Sequence, residues 1–429
     1  MSRFCVVQAP VGTMSGYGAH GRDLVRSLIK AYPDWEIKIK DTRWGSTPRN
    51  YLQTGRDDDI ISRLINEALP KQPDIFFQVS VPNEMQPIGK WNCMITAGIE
   101  TTLCAVQWLE GLNKANLNIV PSTHSKSVFM NSKYEMRNQT TQALQQVVAC
   151  TKPIEVLFEG IDETVYKKTD IIEESITDVM KTVKEEFAFL FVGHWLQGEL
   201  GHDRKDVGMT IKTFCETFKS MPIKPALVLK TSLAALSLKD REALLNRINT
   251  IRLDDSLPNI YLIHGSLTNK EMNSLYNHKK IKAMISFTHG EGYGRPLAEF
   301  AAVGKPIIAP KWSGHLDFLK EEYVTLLPGE LKQVHASAVQ KDMILANSKW
   351  FYVNYFYASR VLKDIYKNYR SYKKKASSMA EIINKYYTLN KMTERFKSIL
   401  DKHLINIPEE VELTLPVLTK IKKDEKSEK

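Results

Sequence analysis

An α/β protein of two doubly wound units is what this sequence predicts, on three observations. Short apolar runs suited to buried parallel strands alternate with amphipathic stretches through the first part of the chain. A charged stretch, Lys167 to Glu186, interrupts the alternation, and a second series of the same kind follows it. The 429 residues, 43% of them hydrophobic, suffice for two such units with a core in each.

In the first series, strands are expected at Phe4 to Ala9, Ile75 to Val79, Cys93 to Ala97, Asn118 to Pro121 and Glu155 to Phe158. Helices are expected between them at His20 to Ala31, Asp58 to Leu69 and Ser125 to Asn131. This order is that of a layered α/β domain. The second series opens on the apolar run Phe187 to Val192. Further strands are expected near Ala226 to Leu229, Ile260 to Ile263, Ala283 to Phe287 and Pro306 to Ala309. Helices near Val207 to Phe218, Lys239 to Ile251 and Pro296 to Val303 complete a second doubly wound unit. Beyond Trp350 the pattern turns helical and rich in Tyr and Lys, and a long helix is expected within Tyr352 to about Leu404.

The totals bound the environment. Met1 to Pro10 run directly into the first strand, with no basic segment, long apolar segment or cleavage site ahead of it. No stretch is long and apolar enough for a membrane span. The five cysteines stand far apart without C-x-x-C or Cys/His clustering, which predicts reduced thiols rather than a disulfide frame or a zinc site. A soluble, cytoplasmic protein is expected. The formal charge of +10 favours an anionic partner, whether nucleotide, nucleic acid or membrane surface.

The richest segment runs from Ser286 to Glu299, SFTHGEGYGRPLAE, where a strand ends, a glycine-rich loop turns and a helix opens near Pro296. Such a helix start offers free backbone N–H groups to an anion, here those around Leu297, and Gly292 and Gly294 admit a close approach. The carboxylates Glu291 and Glu299 are strong acceptors for hydroxyls of a sugar and of a ribose. The downstream segments Ala302 to Pro310 and Trp312 to Leu319 extend the pattern.

At these residues the sequence closely resembles family 4 of the retaining glycosyltransferases, the glycosyl transferases group 1, with their E-x7-E donor motif. Ile119-Val-Pro-Ser122 with Lys126, Val156 to Asp162, and Gly265-Ser-Leu267-Thr with Leu275-Tyr276 carry the resemblance along most of the chain. The resemblance implies the GT-B architecture: two facing Rossmann-like domains with a donor cleft between them. It divides the chain into an N-terminal acceptor domain, 1–170, rejoined by a C-terminal helix at about 385–405, and a C-terminal donor domain, 171–384. A charged tail, 406–429, is expected to be disordered.

The resemblance also implies roles. A basic pair neutralises the donor diphosphate in family members, an Arg after the glycine of the first C-domain strand and a Lys beyond it. Here His194 follows Gly193, and Arg204-Lys205 come later. Either Arg204 folds back to replace the missing Arg, or His194 contacts the phosphate and makes donor affinity sensitive to pH. Lys230, at a strand's carboxyl end, is expected on the diphosphate. Glu291 would orient the sugar and Glu299 the ribose, with Tyr293 in the donor loop and Gly265 and Leu267 edging the nucleobase. Gly16, Tyr17 and Gly18 are expected to line the cleft rather than bind a dinucleotide, since a loose glycine pattern is weak evidence for one. Glu100 stands where many members place a His at the reacting sugar; a structural hydrogen bond is the alternative.

Asp57-Asp58-Asp59 contains D-x-D, but acidic residues at a helix start explain it better than a metal site, and neither a metal nor a cofactor is expected. The Tyr366 to Lys375 segment is either a surface for nucleic acid or anionic membrane, or a solvated helix face with its tyrosines packed inward. The implied activity moves a sugar from a nucleoside-diphosphate sugar to a hydroxyl of a glycan, a lipid-linked saccharide or a modified DNA base. A sugar-nucleotide epimerase of the same architecture, or a non-catalytic nucleotide-sugar or nucleic-acid binding protein, are the alternatives.

Overall fold

The computed structural model describes residues 3–233 and 236–405. The charged tail, 406–429, lies outside them. The first eight strands are β1 (Phe4–Ala9), β2 (Glu36–Asp41), β3 (Ile75–Val79), β4 (Trp91–Ile95), β5 (Leu117–Val120), β6 (Lys133–Arg137), β7 (Leu144–Ala149) and β8 (Ile154–Val156). Six form a parallel sheet in the order β2-β1-β3-β4-β5-β8, and β6 and β7 make a separate antiparallel hairpin. β3 and β4 are buried at every residue, as a sheet covered on both faces requires.

The second group comprises β9 (Ala188–His194), β10 (Ala226–Ser232), β11 (Ile260–Ile263), β12 (Ile281–Ile285), β13 (Ile307–Pro310) and β14 (Thr325–Leu327). These form a second parallel sheet, β11-β10-β9-β12-β13-β14, followed by an antiparallel hairpin of β15 (Gly329–Gln333) and β16 (Lys349–Val353). The helices are α1 (Gly16–Ala31), α2 (Asp58–Ile61), α3 (Val106–Asn113), α4 (Thr123–Asn131), α5 (Glu174–Lys181), α6 (Val207–Phe218), α7 (Leu238–Ile251), α8 (Asn269–Asn277), α9 (Arg295–Ala302), α10 (Tyr355–Lys367), α11 (Tyr369–Tyr386) and α12 (Leu389–His403). Each sheet carries an apolar core on both faces.

One sequence expectation is corrected. The helix expected over Asp58 to Leu69 stops at Ile61, because the open edge of β2 captures the chain: Ile39 N–H donates to the Arg63 carbonyl, and Ile65 N–H donates back to Ile39. Beyond β16 the chain forms three helices, the last of which, α12, lies in the segment where the returning helix is expected. α10 and α11 part at Asn368, and at Tyr387 the chain bridges to Ile161 through two backbone hydrogen bonds before α12 begins at its Thr388 cap. α12 packs on α1, where Ser27 and Thr393 hydroxyls lie 2.9 Å apart, and Met392 and Phe396 join the core of the first sheet.

The tyrosines near the start of α11 point inward. Tyr366 and Tyr369 pack edge-on against Phe187, and the Tyr372 hydroxyl donates to Asp364. Asp57 sits at the start of α2, buried, with Arg26 at 2.7 Å and Arg56 at 2.6 Å. Among the described residues no helix is long and apolar enough to cross a membrane, and all five cysteines are free thiols.

Candidate functional site

The loops leaving the carboxyl ends of the two sheets meet face to face, and glycine makes that meeting possible. A Cβ on Gly290 would lie 2.0 Å from the Glu100 carbonyl, and one on Gly292 would lie 2.0 Å from the Ala97 carbonyl. These glycines therefore admit the backbone that follows β4; for Gly292 this replaces the expectation that its missing side chain makes room for a ligand. The Ser122 hydroxyl donates to the Gly292 carbonyl at 2.6 Å, and Asp317 accepts from the Thr123 amide at 2.8 Å. Gly294 takes φ +97° at the cap of α9, a left-handed turn that glycine adopts without strain.

Four charged groups from three segments converge at this junction. Lys205 donates to Glu291, and Arg204 reaches Glu100 at 3.0 Å and Glu291 at 4.0 Å. Lys205 precedes α6, at whose cap Asp206 is held in a left-handed turn, φ +52°, with its carboxylate accepting from the Tyr355 hydroxyl. The Lys205 stem lies 3.5 Å from where a Cβ on Gly193 would stand. Ser313, also at positive φ, accepts from the Glu291 amide at 2.9 Å and fixes the loop. Burial pushes the Glu291 carboxyl up, but Lys205 and Arg204 outweigh it and leave the group below the usual carboxylate range. Burial lowers the Lys205 ammonium, with Glu291 acting in the other direction.

His194 lies at the end of β9, its Nδ1 2.9 Å from the Ser232 hydroxyl. Surrounding protein, then the charges of Arg204, Lys205 and Lys230, lower the imidazole to about 4, so it is neutral at pH 7. Lys230 donates to the Gly265 carbonyl at 2.7 Å, and burial lowers it to about 8. Gly265 turns with φ +104° and open space where a Cβ would stand, while Leu267 packs partly against the second core. His194, Arg204, Lys205, Lys230 and Glu291 thus share one electrostatic neighbourhood at the carboxyl edge of the second sheet.

Other expected residues are placed differently. Tyr293 is buried with its ring 4.8 Å from Phe318, and Leu297 is buried with its amide donating to the Gly294 carbonyl. On the facing side, the Tyr17 hydroxyl accepts from the Ala97 amide at 3.1 Å and lies 3.0 Å from the Thr96 hydroxyl, while its ring stacks on Trp44. A Cβ on Gly18 would press 2.4 Å from the Thr13 carbonyl, whereas Gly16 has free space around it.

Glu299 lies in a second cluster that sequence reasoning missed. It accepts from Arg295 at 3.0 Å and from the Tyr276 hydroxyl at 3.1 Å. Arg295 also reaches Asp23 on α1 at 2.7 Å and Glu159 at 3.7 Å, joining the two units through one guanidinium. Burial raises Glu159 to about 7, with Asp23 and Glu299 adding to the rise and Arg295 opposing it. The i,i+4 spacing of Arg295 and Glu299 on a helix was the one local signal that pointed here. His20, buried beside this cluster, is lowered to about 3 by burial and by the Arg295 charge. Between about pH 6.5 and 3 only the unfolded chain takes up that proton, so this contribution is intact above 6.5 and is lost as pH falls. Wild type should lose about 2 kcal/mol relative to His20→Asn between pH 7.5 and pH 5 in urea unfolding; equal losses in both would show that His20 protonates in the folded state.

No protein-family model matches this sequence, and no curated protein does. Solved structures match along nearly its whole length. Sucrose-phosphate synthase from Thermosynechococcus elongatus has a TM-score of 0.61 at 11% identity, over 94% of this chain and 99% of its own. A glycosyltransferase from Rickettsia africae has 0.60 at 13% identity, over 95% and 100%. HepE from Anabaena, in complex with UDP and glucose, has 0.59 at 12% identity, over 93% and 99%. With two six-stranded parallel sheets meeting at their carboxyl ends, this chain has the GT-B fold.

Proposed function

We propose that this protein is a retaining glycosyltransferase that moves a sugar from a nucleoside-diphosphate sugar to a hydroxyl acceptor. The observation that carries the reading is the convergence of Lys205, Arg204 and Glu291 at the junction of the two sheets. Cleaving a sugar-diphosphate bond develops negative charge on the leaving phosphate, and preorganised cations there are most effective. Lys205, Arg204 and Lys230 supply that charge, so transfer is proposed to be metal-independent. His194 would donate a hydrogen bond to the same phosphate. Glu291 accepts from sugar hydroxyls, and Glu299 from the ribose once Arg295 shares it. The leaving phosphate would take the acceptor's proton on the face it vacates, which needs no carboxylate nucleophile.

The division of labour follows the fold. Residues 1–170, with the returning helix, would hold the acceptor, and 171–384 the donor. HepE was solved with UDP and glucose, which supports a nucleotide sugar as the donor class here. The acceptor is proposed to be a glycan, a lipid-linked saccharide or a modified DNA base, since all present a hydroxyl and the last two suit a chain of +10.

A thermal-shift series with UDP-, GDP-, ADP- and CDP-sugars tests the donor claim, because a ligand bound only by the folded state raises its stability. One nucleotide sugar should raise the melting temperature of wild type, and the rise should shrink in Glu299→Gln. No shift with any donor in a folded protein would overturn the reading. Release of nucleoside diphosphate only when acceptor is added would exclude both an epimerase and a binding protein.

A further inference from the structure

The amino-terminal edge of the second sheet, opposite the cleft, gathers lysines from four segments. Lys279 precedes β12 and Lys282 lies at its start, and Lys305 follows α9. Lys373 on α11 donates to the Gly304 carbonyl at 2.6 Å, and the Lys282 ammonium lies 5.7 Å from the centre of the Tyr369 ring. Lys168 belongs to a loop pinned to the end of α8, where Asn277 donates to the Lys167 carbonyl at 2.9 Å and accepts from the Thr169 amide at 3.1 Å. Along α11, Arg370, Lys374 and Lys375 are exposed, the first two on one helix face and Lys375 next to them round the helix.

Like charges are crowded here, and among the described residues the nearby acids, Asp170 and Glu173 of the Lys168 loop and Glu186, form no ion pair with them. Among the described residues, none of Lys168, Lys282, Lys373, Lys374, Lys375 or Arg370 forms an ion pair. Burial, then Lys168 and Lys282, lowers Lys373 to about 8; burial, then Lys373 and Lys282, lowers Lys305 to about 6. Lys305 is buried and donates to the Tyr276, His278 and Ile281 carbonyls, so the charge this corner offers to an anion is that of the exposed Lys168, Arg370, Lys374 and Lys375. Glu186, the acid facing this corner, acts on the buried His278.

We infer that this lysine-rich corner is a docking surface for an anionic phospholipid bilayer, engaged by α11 and the loop through Lys168. Three observations favour lipid over nucleic acid. The tyrosines that would stack on bases are used inside the fold, Tyr369 against Phe187 and Tyr372 on Asp364. The same loop that carries Lys168 also carries Ile171, 80% exposed, an aliphatic side chain placed to enter a bilayer beside the lysines. The cations are mainly Lys, which serve a diffuse headgroup charge without the fork geometry that base or phosphate-backbone readout uses in Arg. Docked this way, the enzyme would sit on the membrane by the edge opposite its cleft, leaving the cleft free. The surface stands independently of the proposed activity.

The test is sedimentation of the full chain with vesicles of phosphatidylcholine alone or with about 30% phosphatidylglycerol, in about 0.1 M salt. Wild type should partition onto the anionic vesicles only, and Lys374→Ala/Lys375→Ala should weaken partition roughly thirtyfold, about fivefold per charge removed. Both side chains are exposed, so the melting temperature should stay unchanged. Absence of wild-type binding to anionic vesicles, binding indifferent to the double substitution, or tighter binding to a duplex DNA than to vesicles at the same salt would each overturn the inference.

Discussion

Lys205→Met is expected to lower the rate of sugar transfer by about two to three orders of magnitude, the usual consequence of removing one preorganised charge from a developing anion. Lys205 and Glu291 are each 8% exposed and directly paired. Removing one partner of a buried pair strands the other, at a cost of about 3–5 kcal/mol. Arg204, 4.0 Å from Glu291, should keep the measured loss toward the lower end. Activity and stability can be separated by a second substitution. Lys205→Met/Glu291→Gln leaves no buried charge behind, so its stability in urea should return to within about 1 kcal/mol of wild type. Its activity should not return, because neither the phosphate cation nor the sugar acceptor is restored. If Lys205→Met kept transfer within tenfold of wild type, Arg204 and Lys230 would be carrying the diphosphate between them. If the double variant recovered activity with stability, the single loss would have been one of folding.

What could be read in advance follows from how local each signal is. Strands β3, β9 and β12 are mostly apolar because they are covered on both faces, so their positions were plain in the sequence. β2 was missed because it is an edge strand in which Ile37 and Ile39 face inward and Glu36 and Lys40 face out, a pattern that reads as charged surface. The failed helix after Asp58 belongs to the same cause, since the edge of β2 that it pairs with was itself unrecognised. Glu291, Gly294 and Glu299 lie in one segment, so choosing them as candidates needed no long-range contact, whereas the cluster that Glu299 joins did. The meaning of Gly292 was not legible, because the carbonyl it admits is that of Ala97, brought there only by the meeting of two sheets. The partners of Arg295 lie 272 residues away on α1 and in the loop after β8, and one sequence carries no record of such a contact.

Arg295→Met should be the most damaging substitution outside the phosphate site, because one guanidinium serves three carboxylates. Asp23, Glu159 and Glu299 are each no more than 11% exposed in their side chains, and each lies within 3.7 Å of Arg295. Without it, a loss of about 3–5 kcal/mol is expected from the stranded charge. The pH dependence identifies the cause. With the cation gone, burial and neighbouring carboxylates hold Glu159 and Glu299 above their unfolded values, so the folded state binds more protons than the unfolded one and stability falls as pH rises. The deficit against wild type should therefore be larger at pH 8 than at pH 5, where protonation discharges the cluster. A deficit independent of pH would mean that Arg295 contributes packing alone. Because the Asp23 contact joins α1 to α9, the variant should also open the cleft, seen as a larger radius of gyration in solution scattering at pH 8 that reverts at pH 5. Arg295→Met/Glu159→Gln removes one of the stranded charges and should recover part of both effects, which ties the closure of the two units to charge balance across their junction.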